Sequence, residues 1–191
     1  MLGRNQMAGR NSSILTGHFP DLGCSIGFAL MESGRMRLEG RPIGWFTSTI
    51  ELTLEGNVLG LLRRGWFREG LQLELSGHIV RLEKPSWLKS HYVLKDDEGI
   101  ELSSATLVGF LNAHWVMDLQ SGPGTLERAG WFTNAYVLKQ GSVVTAQVGQ
   151  TKWWSREWFV VADDTLSAVD VLMVGLMYVT IRERESRQHS G

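Results

Sequence analysis

Apolar and polar residues alternate along most of the chain. Ile50, Leu52 and Leu54 alternate with Thr49, Glu51 and Thr53, and Leu71, Leu73 and Leu75 alternate with Gln72, Glu74 and Ser76. A period of two marks strands that bury one face. Turn clusters separate these runs: Glu55-Gly56-Asn57, Ser76-Gly77, Asp96-Asp97-Glu98-Gly99, Ser121-Gly122-Pro123-Gly124 and Gln140-Gly141-Ser142, with a weaker one at Glu32-Ser33-Gly34. Gly, Asn and Asp tolerate the positive φ of tight turns, so the clusters read as hairpin tips. The pattern predicts about six consecutive hairpins and then one further strand, Glu157 to Val161.

The alternation stops at Leu166. From there to Ile181 the sequence LSAVDVLMVGLMYVTI reads as a helix with apolar residues in every direction around its axis. Such a helix must be wrapped by protein or lie in a bilayer. Its length of roughly 24 Å falls short of the ~30 Å a bilayer core requires, and Asp170 interrupts it. A buried core helix is therefore expected. Asp163, Asp164 and Thr165 offer N-cap oxygens, and Ser167 with Asp170 three residues on has the spacing of a capping box. That spacing competes with a reading of Asp170 as a buried functional acid. Arg182 and Arg184 suit a helix C-terminal end.

Many short antiparallel strands followed by one all-apolar helix have a simple solution. The sheet curls and closes, which removes its edges, and the helix fills the interior. The expected fold is mainly β with one helix: a closed antiparallel β-barrel of about 12 strands, built from repeated hairpins around a central hydrophobic C-terminal α-helix.

The hairpins repeat in sequence as well as in period. Gly-Trp-Phe occurs at 44–46, 65–67 and 130–132, with relatives at Ser86-Trp87-Leu88, Val108-Gly109-Phe110 and Lys152-Trp153-Trp154, so the units recur every 21 or 22 residues. The strongest internal match sets Trp87-Leu88-Lys89-Ser90-His91-Tyr92-Val93-Leu94-Lys95 against Trp131-Phe132-Thr133-Asn134-Ala135-Tyr136-Val137-Leu138-Lys139. Phe67 is in phase with the apolar Leu71, Leu73 and Leu75, whereas Trp66 shares its phase with Gln72 and Glu74; Phe46 and Trp45 divide likewise. An unbroken strand would thus point Phe inward and Trp outward, and a bulge at the preceding Gly would re-aim the ring.

The Tyr-Val-Leu-Lys-Asp-Asp-Glu-Gly stretch at 92–99, the Trp-Phe strand starts and the 166–181 helix together resemble the tubby C-terminal-like superfamily, which includes LURP-one-related proteins and phospholipid scramblases. The resemblance covers roughly residues 22 to 185 and implies a twelve-stranded barrel threaded by a central helix. It implies little about function: tubby domains bind phosphoinositides, scramblase-like members associate with membranes, and LURP-one-like members lack a settled activity. No stretch matches the tubby lipid-binding residues. Gly-Trp at this spacing also resembles the choline-binding repeats of bacterial surface proteins. The Trp-Tyr-Tyr run of those repeats is missing here, and their open solenoid would leave the helix uncovered.

With 191 residues and no linker-like stretch, one domain is expected over 22–185, between flexible tails at 1–21 and 186–191. The single Cys24 can form no internal disulfide and reads as a small buried apolar residue, which fits a reducing, cytoplasmic setting. Residues 1–13 lack the apolar core of a secretory signal. Nineteen Lys and Arg against twenty Asp and Glu bring net charge close to zero. That balance argues against a nucleic-acid partner but leaves local patches open.

Two sets of residues suit a surface role. Arg35, Arg37, Arg41, Arg63, Arg64 and Arg68 fall near strand ends, where a shared patch would attract anionic headgroups; Glu39, Glu55 and Glu69 stand ready to neutralise it. Trp45, Trp66, Trp87 and Trp131 would form a girdle at one rim, suited to a membrane interface or a protein partner. No catalytic motif is present, the five His residues lack metal-ligand spacing, and Asp96-Asp97-Glu98-Gly99 reads as a hairpin turn rather than a calcium loop. No metal or cofactor is expected. The expectation is a non-catalytic binding module at the periphery of a membrane or on a protein partner; the alternative is a structural accessory domain without a small-molecule ligand.

Overall fold

The computed structural model describes residues 34–44, 49–64, 70–86, 89–109, 113–130, 133–152 and 155–189. The expected tail at 1–21, the start of the domain at 22 and Cys24 lie outside them.

Twelve strands and one helix follow in order: β1 (Arg35–Pro42), β2 (Thr49–Leu54), β3 (Asn57–Arg64), β4 (Leu71–Leu75), β5 (His78–Glu83), β6 (His91–Lys95), β7 (Glu101–Val108), β8 (His114–Leu119), β9 (Gly122–Arg128), β10 (Tyr136–Gln140), β11 (Val143–Gln150), β12 (Trp158–Asp163) and α1 (Ala168–His189). Each strand pairs with its neighbours in sequence, and β1 pairs antiparallel with β12 to close the barrel. The open row that choline-binding repeats would require is thereby excluded. Five hairpins turn near the expected clusters. The sixth expected unit is not a hairpin: Gly34 leads into β1, whose partners are β2 and β12. The Ser121–Gly124 cluster is also displaced, because the turn falls at Gln120-Ser121 and Gly122, Pro123 and Gly124 already belong to β9. At Gly124 a Cβ would lie 2.9 Å from the Leu138 side chain, so this glycine serves strand packing rather than the turn.

The alternation of the sequence becomes the inside and outside of the wall. Leu71, Leu73 and Leu75 are buried while Gln72 and Glu74 are exposed, and Leu38, Leu52, Leu62, Leu82, Leu94, Leu126 and Leu138 are all buried against the interior. The two-residue turns Glu55-Gly56 and Ser76-Gly77 have positive φ at both positions, the geometry that matches strand twist.

The repeat has a structural counterpart. β6 and β10, which carry the best-matching sequences, each have a bulge between Leu and Lys, at Leu94/Lys95 and Leu138/Lys139. In both, the Lys reaches a Glu on the preceding strand, Glu83 and Glu127 respectively.

α1 fills the barrel. Every residue from Val169 to Ile181 is buried, although such a run would be costly on any outer surface. Its position is keyed by Trp158. A Cβ on Gly175 would lie 2.7 Å from the Trp158 ring, and one on Gly40 would lie 2.2 Å from it. The indole is thus gripped between helix and β1, and the glycines let the backbones approach. The helix runs 22 residues, through His189, so 186–189 continue it instead of forming a tail. Arg182 to Gln188 contain good helix formers and neither Gly nor Pro, so nothing stops the helix at Ile181.

The N-cap is Ser167, not Asp163, Asp164 or Thr165. Ser167 Oγ accepts from the Asp170 N–H at 3.1 Å, and Asp170 Oδ2 accepts from the Ser167 N–H at 3.2 Å, a reciprocal capping box. Asp170 is completely buried and also accepts the N–H groups of Gln120 at 2.8 Å and Ser121 at 3.1 Å. It pins the β8–β9 turn to the start of the helix, which assigns it a structural role.

Candidate functional site

A barrel of this topology puts all its hairpin turns at one end and all its longer connections at the other. α1 starts at the turn end, where Asp170 holds Gln120 and Ser121, and leaves at the opposite end, here called the rim. There Arg184 donates to Ser90 Oγ at 3.2 Å and lies 5.7 Å over the Trp115 ring.

Charge divides between these ends. In the turns and the strand residues beside them lie Glu55, Asp96, Asp97, Glu98, Glu101, Asp163 and Asp164, against Arg35 and Lys95. Around the rim lie Lys84, Lys89, Arg128, Lys152, Arg156, Arg182, Arg184 and Arg187, against Glu83, Glu157, Glu183 and Glu185. A chain of nearly zero net charge is thus a barrel with an acidic end and a basic end.

The arginines expected as one patch are distributed differently. Arg35, Arg37 and Arg41 project from the outer face of β1 with Glu39 among them: Arg37 bonds Glu39 at 2.7 Å, Arg41 bonds it at 2.8 Å, and Arg35 lies 3.9 Å from Asp163. Arg37 also covers the Phe159 ring at 5.1 Å, and its N–H is accepted by Glu55. Arg63, two strands away on β3, lies 3.9 Å from Glu74. The Arg37 hydrogen bond, with Arg41 beside it, holds the Glu39 carboxyl below its ordinary pKa. The wall of β1–β4 is therefore a mixed-charge surface on which Arg35, Arg37, Arg41 and Arg63 already have carboxylate partners. Arg64 ends β3, and its side chain lies outside the described residues, as do Arg68, Trp45, Trp66, Trp87 and Trp131. The strand ends flanking those four tryptophans all lie at the rim.

The rim also holds a polar pocket of about 450 Å³, lined by Arg128, Asn134, Arg182, Glu185, Ser186 and Gln188. Arg128 ends β9 and stands opposite Tyr136, the first residue of β10. Tyr136 Oη donates to Glu185 Oε1 at 2.9 Å, Arg128 bonds the same carboxylate, and Arg182 reaches its other oxygen at 3.0 Å. Burial raises the Tyr136 phenol, so it remains a neutral donor. Below it, Tyr178 meets Tyr136 edge-on at 6.1 Å and Trp158 at 6.4 Å. Tyr178 is 2% exposed and its hydroxyl has no hydrogen-bond partner among the described residues; burial pushes its pKa up to about 12.

Sequence patterning missed this cluster because its members lie on β9, on β10 and beyond the expected helix end. A continued helical phase from Tyr178 through Arg182 to Glu185 was the available signal. The Asp96–Gly99 segment is the expected turn: Asp96 accepts the Ile100 N–H at 2.7 Å. Among the described residues no group of His, Cys, Asp and Glu is arranged to hold a metal, and no helix is long and apolar enough to cross a membrane.

No family model matches the chain, and no curated protein matches it. Among solved structures, the X-ray structure of a protein from Arabidopsis thaliana is similar over 78% of this chain and 91% of that one, at 10% identity and a TM-score of 0.38. A likeness that distant adds nothing to the fold described above, which is a closed twelve-stranded antiparallel barrel around a C-terminal helix.

Proposed function

We propose that this protein is a non-catalytic binding module of the tubby-like or LURP-one-like type, which docks its basic rim on anionic phospholipid headgroups. The observation that carries the proposal is the division of charge between the two ends of the barrel. An anionic leaflet attracts the rim and repels the turn end, so one orientation is favoured. Each Lys or Arg near such a surface is worth about 1 kcal/mol. A net excess of a few charges then gives binding in the millimolar range, about 4 kcal/mol. Firm attachment needs an apolar contribution as well. The sequence supplies Trp45, Trp66, Trp87 and Trp131 in the connections between the rim strand ends, and an indole suits the headgroup layer. The helix-filled lumen supports a surface role, because it leaves the interior to apolar packing.

Sedimentation with vesicles tests this. Binding is expected to phosphatidylserine-containing vesicles and not to pure phosphatidylcholine, and to weaken steeply as salt rises and the Debye length shortens. The triple variant Arg182→Gln, Arg184→Gln, Arg187→Gln should bind at least about tenfold more weakly. Equal binding to the two lipids, or an unaffected triple variant, removes the proposal.

A further inference from the structure

The tightest convergence of donors at the rim is on a side chain rather than on a ligand. Arg128, Arg182 and Tyr136 all direct hydrogen bonds to the carboxylate of Glu185, at the edge of the 450 Å³ pocket. Two guanidinium groups share one carboxylate, so the cluster keeps a positive excess. Planar guanidiniums paired with an oxyanion are the usual means of recognising carboxylate and phosphate groups. We infer that this pocket is a site for a phosphate-type oxyanion, and that Glu185 is its built-in competitor.

The choice of phosphate follows from the donor set. A carboxylate has two oxygens, and Glu185 commits both. Arg128 and Arg182 both line the pocket, so it offers two guanidiniums to one anion. A phosphate monoester has a third terminal oxygen, and a second negative charge for the second guanidinium. The pocket volume is within the usual range for small-ligand sites.

Glu185 can be displaced because the packing of α1 ends before it. Ile181 is the last buried residue, Arg182 to Glu185 are half-buried, and Ser186 to Gln188 are exposed. Helix ends with little buried surface open at small cost. A tethered carboxylate still acts at high effective concentration, so a soluble anion competes poorly until Glu185 is altered.

The site shares the rim of the proposed membrane face but is tested without a membrane. The full chain is titrated calorimetrically with inorganic phosphate at constant ionic strength. Glu185→Gln should bind about tenfold more tightly than wild type, the gain from removing one charge-assisted competitor. Arg128→Gln in that background should abolish the gain. Should Glu185→Gln not fold, Glu185→Asp keeps the charge, withdraws it by one methylene and should show a smaller gain. Equal affinity of wild type and the folded Glu185 variant, or a gain that survives loss of Arg128, overturns the inference. A second arm compares phosphatidate-containing with phosphatidylserine-containing vesicles. A phosphate gain with no phosphatidate preference identifies a soluble ligand, and a matched phosphatidate preference identifies a headgroup. Vesicle binding that leaves phosphate affinity unchanged by Glu185→Gln sinks this site alone and spares the rim as a membrane face.

Discussion

The two ends of the barrel are built from the same repeat and differ in almost everything else. At the turn end the chain reverses in tight loops, the acids gather, and Asp170 ties the helix start to the β8–β9 turn through two backbone N–H groups. At the rim the connections are longer, the bases gather, and the helix leaves its packing at Ile181 beside a polar pocket. Antiparallel succession explains the contrast. Acids stand in some turns (Glu55; Asp96, Asp97 and Glu98) and bases in some connections (Lys84 and Lys89; Lys152 and Arg156), and strand reversal sends every turn to one end and every connection to the other. Charge that cancels along the sequence is thereby separated in space. One end is held by the buried Asp170, and the other leaves a half-buried helix end beside a pocket.

The largest expected effect tests that division. Asp170→Ala strips the acceptor from Gln120, Ser121 and Ser167 and removes the capping box. Leaving such donors unsatisfied costs about 3 kcal/mol, or roughly 6–12 °C in Tm for a domain of this size. Asp170→Asn, with a single acceptor oxygen, should lose about half as much. At the rim, Glu185→Ala should cost only about 1 kcal/mol, since Arg128 and Arg182 stay partly hydrated. Thermal melts of the three variants decide the matter; equal losses at Asp170 and Glu185 would mean that the two ends are equally pinned.

How far the sequence foretold this contrast depends on range. Period-two runs such as Leu71, Leu73 and Leu75 and the all-round apolar helix are local signals, and they specified a closed barrel with a central helix. The Ser167–Asp170 box was also legible, being an i, i+3 relation. The Gln120 and Ser121 contacts of Asp170 were not, because they join residues some 50 positions apart. The rim cluster escaped for the same reason: Arg128, Tyr136 and Glu185 become neighbours only after β9, β10 and the helix end converge. Near-neutral net charge concealed the charge separation, which exists only once alternate connections are sorted to opposite ends. Arg35 on β1 and Arg63 on β3 looked like parts of one patch because their partners, Asp163 on β12 and Glu74 on β4, lie on other strands.

A second effect distinguishes the ends by pH. Tyr178 ionises with a pKa raised by burial from 10.0 to about 12. Between those values the unfolded chain has lost the proton while the folded chain retains it. The stabilisation is complete below about pH 10 and disappears as pH rises toward about 12, a span worth at most about 2–3 kcal/mol. Tyr178→Phe removes a titrating group and an unsatisfied hydroxyl. It should leave stability at pH 7 unchanged or raised by up to about 1 kcal/mol, and should raise the alkaline unfolding midpoint. Denaturant titrations at pH 7 and pH 11 measure both, and identical alkaline midpoints would show that Tyr178 does not set the limit.

The smallest expected effect separates the rim from the wall. Glu39 is held below its ordinary pKa by Arg37 and Arg41, so its contribution is present above the ordinary carboxylate range and is lost as pH falls through the lowered value. The side chain is 24% exposed and its partners are more so, so solvent and salt screen the pair and Glu39→Gln should cost no more than about 0.5 kcal/mol at neutral pH. In acid the difference from wild type should vanish, because both side chains are then uncharged. The same variant releases Arg37 and Arg41 and adds one positive charge to the wall. If the wall were the membrane face, anionic vesicles should bind Glu39→Gln several-fold more tightly. If the rim is the face, the change should stay within about twofold, because Glu39 stands on the outer wall three residues short of the rim end of β1, roughly 10 Å along the strand, where salt screens much of its charge. A strong gain would move the binding surface from the end of the barrel to its side.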